Sequence, residues 1–95
     1  MSEPYDLSAM PEMAPTFRLQ WEEAQNGYVI LYPEGMIKLN PAAGEILRRC
    51  DGAHTVAALI DDLKRQFPDA ENLSNDVLTF LGTAHEHQWI RDKSA

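Results

Sequence analysis

Two apolar runs flank Asn26-Gly27, with Phe17-Arg18-Leu19-Gln20-Trp21-Glu22 before the pair and Tyr28 to Tyr32 after it. The first run alternates apolar and polar side chains with period two, as a strand buried on one face does. Asn-Gly supplies the positive φ angles of a tight two-residue hairpin, so the pair predicts an antiparallel return strand. Pro33-Glu34-Gly35 makes a second turn, leading into a short third strand over Met36 to Leu39. The expected β half is therefore an antiparallel meander of three strands.

Counting outward from the two turns sets Trp21 opposite Tyr32, Glu23 opposite Ile30, Tyr32 opposite Ile37 and Ile30 opposite Leu39. One face then collects Phe17, Leu19, Trp21, Ile30, Tyr32, Ile37 and Leu39. The other keeps Val29, Leu31 and Met36, which need a cover from an N-terminal arm or a second subunit.

Asn40-Pro41 opens the α half. Asparagine offers a side-chain acceptor at the N-cap, and proline at the first helical position loses no useful N–H. Helix 1 carries Ala43, Ile46, Leu47 and Cys50 on one face and stops at Asp51-Gly52. Thr55 caps a second helix whose Val56, Leu59, Ile60, Leu63 and Phe67 keep helical spacing until Pro68. A third helix is expected from about Leu73 or Ser74 to His87. Its Leu73, Val77, Phe80 and Ala84 form a core stripe, and through Leu81 it gains a further apolar shoulder at Leu78, His85 and Trp89. The fold class is thus α+β, a three-stranded antiparallel β-meander followed by a three-helix bundle over residues 16–91. Residues 1–15, with Pro4, Pro11 and Pro15, read as an irregular arm, and residues 92–95 as a tail.

Composition removes several function classes. At 95 residues one domain buries only about 60–65% of its unfolded surface, so a deep substrate cavity is not expected. Fifteen acidic against eight basic residues give a formal charge of −7, the wrong sign for nucleic acid or an anionic membrane. One cysteine permits no internal disulfide, and no apolar run reaches the ~20 residues of a membrane span, which points to the cytoplasm. Cys50 and His54 are separated by the Asp51-Gly52 break, and His85 and His87 point apart on a helix, so no metal set forms. Glu22-Glu23 and Asp61-Asp62 diverge as adjacent residues do, and no phosphate loop or nucleophile elbow is present. The reading is a protein that is not an enzyme and needs no cofactor.

What remains is a surface for a peptide. A short terminal strand followed directly by helices leaves one row of backbone N–H and C=O groups unpaired, and an extended peptide can add there. The apolar shoulder of helix 3 would then receive its side chains. Three competing readings stand beside this one: a winged-helix DNA-binding protein, a homodimer built on the arm and the Val29, Leu31, Met36 face, and a catalytic role for Cys50 or the histidines.

Several short motifs occur in a telling order: Leu39-Asn40-Pro41, Ile46-Leu47, Cys50-Asp51-Gly52, Thr55-Val56, Asp76-Val77 and Phe80-Leu81. From Phe17 to Ile90 the chain resembles the PqqD family of pyrroloquinoline quinone biosynthesis. One departure is Gln88-Trp89-Ile90, where family members commonly place glycine before the tryptophan. The resemblance implies a winged-helix-like recognition element for ribosomally synthesised, post-translationally modified peptides. It further implies a peptide chaperone that binds the precursor peptide PqqA as a strand beside the third strand and delivers it to the radical S-adenosylmethionine enzyme PqqE. Carried onto this chain, the peptide-binding residues are Met36, Ile37, Lys38 and Leu39 on the strand, and Val77, Leu78, Leu81 and His85 on helix 3.

Overall fold

A computed structural model describes residues 5–93. In chain order the elements are β1 (Pro11–Met13), β2 (Arg18–Glu22), β3 (Gly27–Tyr32), β4 (Gly35–Lys38), α1 (Pro41–Leu47), α2 (Val56–Gln66), α3 (Leu73–Glu86) and β5 (Ile90–Asp92). The expected α+β arrangement is present: β2, β3 and β4 form an antiparallel sheet in that order, followed by three helices.

Both hairpin registers differ from expectation. Asn26 alone takes the left-handed conformation, at φ 53°, and Gly27 is already the first residue of β3. The connection is a pair of successive turns over 22–26, closed by Gln25 N–H to Glu22 O at 3.2 Å and Asn26 N–H to Glu23 O at 3.1 Å. Trp21 therefore faces Tyr28, and Leu19 faces Ile30. The second loop is only Pro33-Glu34, because Tyr32 pairs with Gly35, so Ile30 faces Ile37. Both slips are by an even number of residues. Side chains alternate with period two, so an even slip exchanges partners while each side chain keeps its face. The inner face still gathers Leu19, Trp21, Ile30, Tyr32 and Ile37, and it gains Tyr28.

The helices pack on that face. Ile30 joins Leu47, Val56, Leu59, Leu63, Val77 and Leu81 in the buried cluster. A Cβ on Gly44 would lie 2.8 Å from a ring carbon of Tyr28, so α1 approaches β3 as closely as it does only because that position has no side chain. Asn40 and Thr55 cap as their chemistry predicts, accepting from the Ala43 N–H at 2.7 Å and the Ala58 N–H at 3.1 Å.

α3 ends in a Schellman motif. The Gln88 N–H bonds to His85 O at 2.9 Å and the Trp89 N–H to Ala84 O at 3.0 Å, with Gln88 left-handed at φ 65°. This geometry explains why glycine suits the position and why glutamine is strained there. Gln88→Gly is expected to raise stability by about 0.5–1 kcal/mol, the left-handed penalty relieved less the extra entropy of glycine. A thermal melt should show a rise of a few degrees, and a fall would contradict the account.

The arm is not irregular throughout. Pro11–Met13 pairs antiparallel with Ile90–Asp92, forming a second, two-stranded sheet. Proline is tolerated as the first residue of such an edge strand. Upstream, Ala9 O and Leu7 O accept from the Val56 and Ala57 N–H groups at 2.9 and 3.0 Å, satisfying donors that the first turn of α2 leaves open. Tyr5 and Ala9 are buried in the core cluster. Residues 1–4 of the expected arm and 94–95 of the expected tail lie outside the described residues. The arm is thus anchored at α2 and β5. On the outer sheet face, Val29 is fully buried in its cross-strand row between Gln20 and Lys38, while Met36 stays exposed.

Candidate functional site

β4 is an edge of the three-stranded sheet. Leu39 N–H bonds to Tyr28 O at 3.1 Å, and antiparallel pairs alternate between bonded and non-bonded. Gly35, Ile37 and Leu39 therefore direct their backbone groups toward β3. The N–H and C=O of Met36 and Lys38 point to the open side. Ile37 and Leu39 are half-buried against the core, whereas Met36 and Lys38 are exposed.

The four helix residues divide differently from expectation. Val77 and Leu81 are fully buried, so Leu81 belongs to the core and not to a surface shoulder. The cause is a slight rotation of the buried stripe, which runs through Val77, Leu81 and Ala84 while Phe80 is only half-buried. Leu78 is half-buried against the same core cluster as Ile37 and Leu39. His85 is exposed, and its ring meets the chain's own arm. Tyr5 packs edge-on against it, with centroids 5.3 Å apart, and the Tyr5 hydroxyl lies 3.2 Å from His85 Nδ1.

A groove absent from the sequence reading lies between α1, the end of α2 and the start of α3. It encloses about 450 Å³ and is lined by Pro41, Ala42, Ile46, Phe67 and Leu73, with Val77 among its lining residues and Glu45 and Asp76 the acidic ones. The spacing of α2 assigns Phe67 to the core, but α2 ends at Gln66 and Phe67 takes a non-helical conformation, leaving it 42% exposed. The adjacent Pro68 is the one sequence signal that marks this departure. Pro41 follows Lys38 by three residues, so the groove begins at most about 11 Å along the chain from the open edge.

Chemistry at Cys50 is unfavourable. Burial pushes its thiol up to about 12, so the nucleophilic thiolate is scarce near neutral pH, and the sulfur donates to Ile46 O at 3.4 Å. Among the described residues no three His, Cys, Asp or Glu side chains gather as a metal site. No described helix is long and apolar enough to cross a membrane. α3 carries no Lys or Arg, so a recognition helix reading of it has no source of phosphate contacts.

Comparison with known proteins agrees with the fold and with the family resemblance. The family model described as coenzyme PQQ synthesis protein D (PqqD) matches residues 27–90. The PqqA binding protein of Stutzerimonas stutzeri is 48% identical over 84 residues, spanning 88% of this chain and 91% of that protein. The PqqA binding protein of Methylococcus capsulatus is 49% identical over 81 residues, spanning 85% and 86%. The solution NMR structure of the PqqD truncation of Methylobacterium extorquens PqqCD, a RiPP recognition element, is similar in fold. It has a TM-score of 0.74 at 24% identity, covering 92% of this chain and 94% of that one.

Proposed function

Because this chain belongs to the PqqD family, we propose that it is a non-catalytic chaperone that binds the precursor peptide PqqA as an added strand along β4 and presents it to the radical S-adenosylmethionine enzyme PqqE. The observation that carries this reading is the open edge itself: the backbone groups of Met36 and Lys38 face outward from a sheet whose strand order ends at β4. Ile37, Leu39 and Leu78 border one apolar cluster beside that edge. Main-chain bonds would supply affinity, and alternate side chains of the peptide would meet these residues. The groove that begins at Pro41 is lined as far as Leu73 and Asp76 at the start of α3, so a peptide leaving the edge there would continue its contact along it. Ordering a flexible peptide on a small domain raises its effective concentration at the modifying enzyme without any chemistry by the domain.

Lys38→Pro separates the edge from the fold. Proline removes the outward N–H at Lys38 while the bonds of Ile37 and Leu39 to β3 remain, and the residue before it is already extended. The variant should keep its amide spectrum and thermal stability near those of the parent yet bind PqqA at least about ten-fold more weakly, the loss of an edge bond plus the ring's obstruction. Titration of labelled protein should shift amides of Met36 to Leu39 in the parent. Unchanged affinity in a folded Lys38→Pro variant would refute strand addition at β4.

A further inference from the structure

We infer that Lys38 is a specificity determinant at the β4 edge, selecting a strand that places an acidic side chain opposite it with apolar side chains on either side. The inference rests on strand addition at β4 and specifies which side chains such a strand carries.

The sheet presents alternating cross-strand rows at its open edge. On the outer face the row Gln20, Val29, Lys38 ends in a cation. On the inner face the row Leu19, Ile30, Ile37 ends in a half-buried aliphatic side chain, and Trp21, Tyr28 and Leu39 form the next row. A fourth strand extends each row by one residue. Its residue paired with Lys38 points to the outer face, and both neighbours point inward over Ile37 and Leu39. This holds whether the strand runs parallel or antiparallel, because side chains alternate in either direction.

Lys38 has no ion pair among the described residues, although Arg48, Arg49, Arg65 and Arg91 each contact a carboxylate. Its row partner Val29 is apolar and fully buried, and Gln20 beyond it is neutral, so no carboxylate stands in that row. In a chain of formal charge −7, this leaves a positive ammonium on the edge at which the added strand arrives. Opposite charges directly across a pair of strands stabilise the pairing, and like charges oppose it. Edge lysines also serve to discourage unwanted strand pairing, a role that makes no distinction by the charge of the incoming strand.

The test is a double-mutant cycle with synthetic PqqA. Each Asp or Glu of the peptide is replaced singly by Asn or Gln and titrated against the parent protein and against Lys38→Gln. One acidic position should cost about three-fold in affinity against the parent and nothing against Lys38→Gln, with the difference fading at high salt. Additive effects at every acidic position, while the Met36 and Lys38 amides become protected from exchange on binding, would overturn the inference and leave strand addition standing. Tighter binding by Lys38→Gln to every peptide alike would also overturn it, in favour of a general edge guard. Binding without protection of those two amides would defeat strand addition and the inference with it.

Discussion

Leu81→Ala is expected to destabilise the fold by about 3 kcal/mol while leaving the affinity of the folded fraction for PqqA nearly unchanged. Leu81 is fully buried in the core cluster to which Ile30, Leu47, Leu59, Val77 and Ala84 also belong, on a helix that packs against α2 and β5. Truncation removes its transfer energy and opens a cavity that rigid neighbours fill only in part. A domain of this size has a total stability of only about 5–10 kcal/mol, so the loss is a large share. Urea unfolding should show a lower midpoint with an unchanged slope. A small stability change accompanied by weaker peptide binding would instead return Leu81 to the surface.

Arg49→Ala should cost about 2–3 kcal/mol, because it removes a buried guanidinium and leaves four acceptor contacts without their donor at once. Arg49 is 6% exposed. Its Nε donates to Asp62 at 2.6 Å, its Nη1 to the backbone and side-chain oxygens of Glu45 at 2.8 Å, and its Nη2 to Gln66 at 2.8 Å. The residue ties the end of α1 to α2, and α1, at seven residues, is too short to persist alone. Arg49→Lys should not restore the loss, since a single ammonium lacks the planar fork that reaches all these acceptors.

The same clasp sets an acid dependence. Hydrogen bonds from Arg49 hold the Glu45 and Asp62 carboxyls below their ordinary range. Groups depressed in the folded state contribute stability above their unfolded values and lose it as pH falls through the lowered ones. Thermal melts on the acid side of the carboxylate range should therefore decline more steeply for the parent than for Arg49→Ala. Asp62 is half exposed, so salt should soften the effect. Equal stability and parallel acid curves for the two proteins would remove the clasp from the account.

The local elements were legible in the chain because their causes are local. Asn40 and Thr55 cap helices through oxygens that need only a neighbouring N–H three residues on. Period-two alternation sorted Leu19, Ile30 and Ile37 onto one face, and that assignment survived two wrong registers because both slips were even. The order of short motifs from Leu39 to Leu81 pointed to the family that the comparisons then showed. Registers were less legible because they depend on how many residues each loop consumes, and Asn26-Gly27 served a longer connection than the dipeptide suggests.

What the sequence determined by itself was the meander, the three capped helices, their apolar faces and the family. What only the tertiary structure decided was depth and edge. Leu81 became core and Phe67 surface through small rotations and an early helix end that periodicity does not resolve. Pro11–Met13 found Ile90–Asp92 across nearly the whole chain, a pairing of three-residue strands too short to announce themselves. Because those two strands pair with each other in a separate sheet, β4 keeps its outer backbone groups open. The third strand was visible in the sequence, but its free edge depends on where every other strand finds a partner.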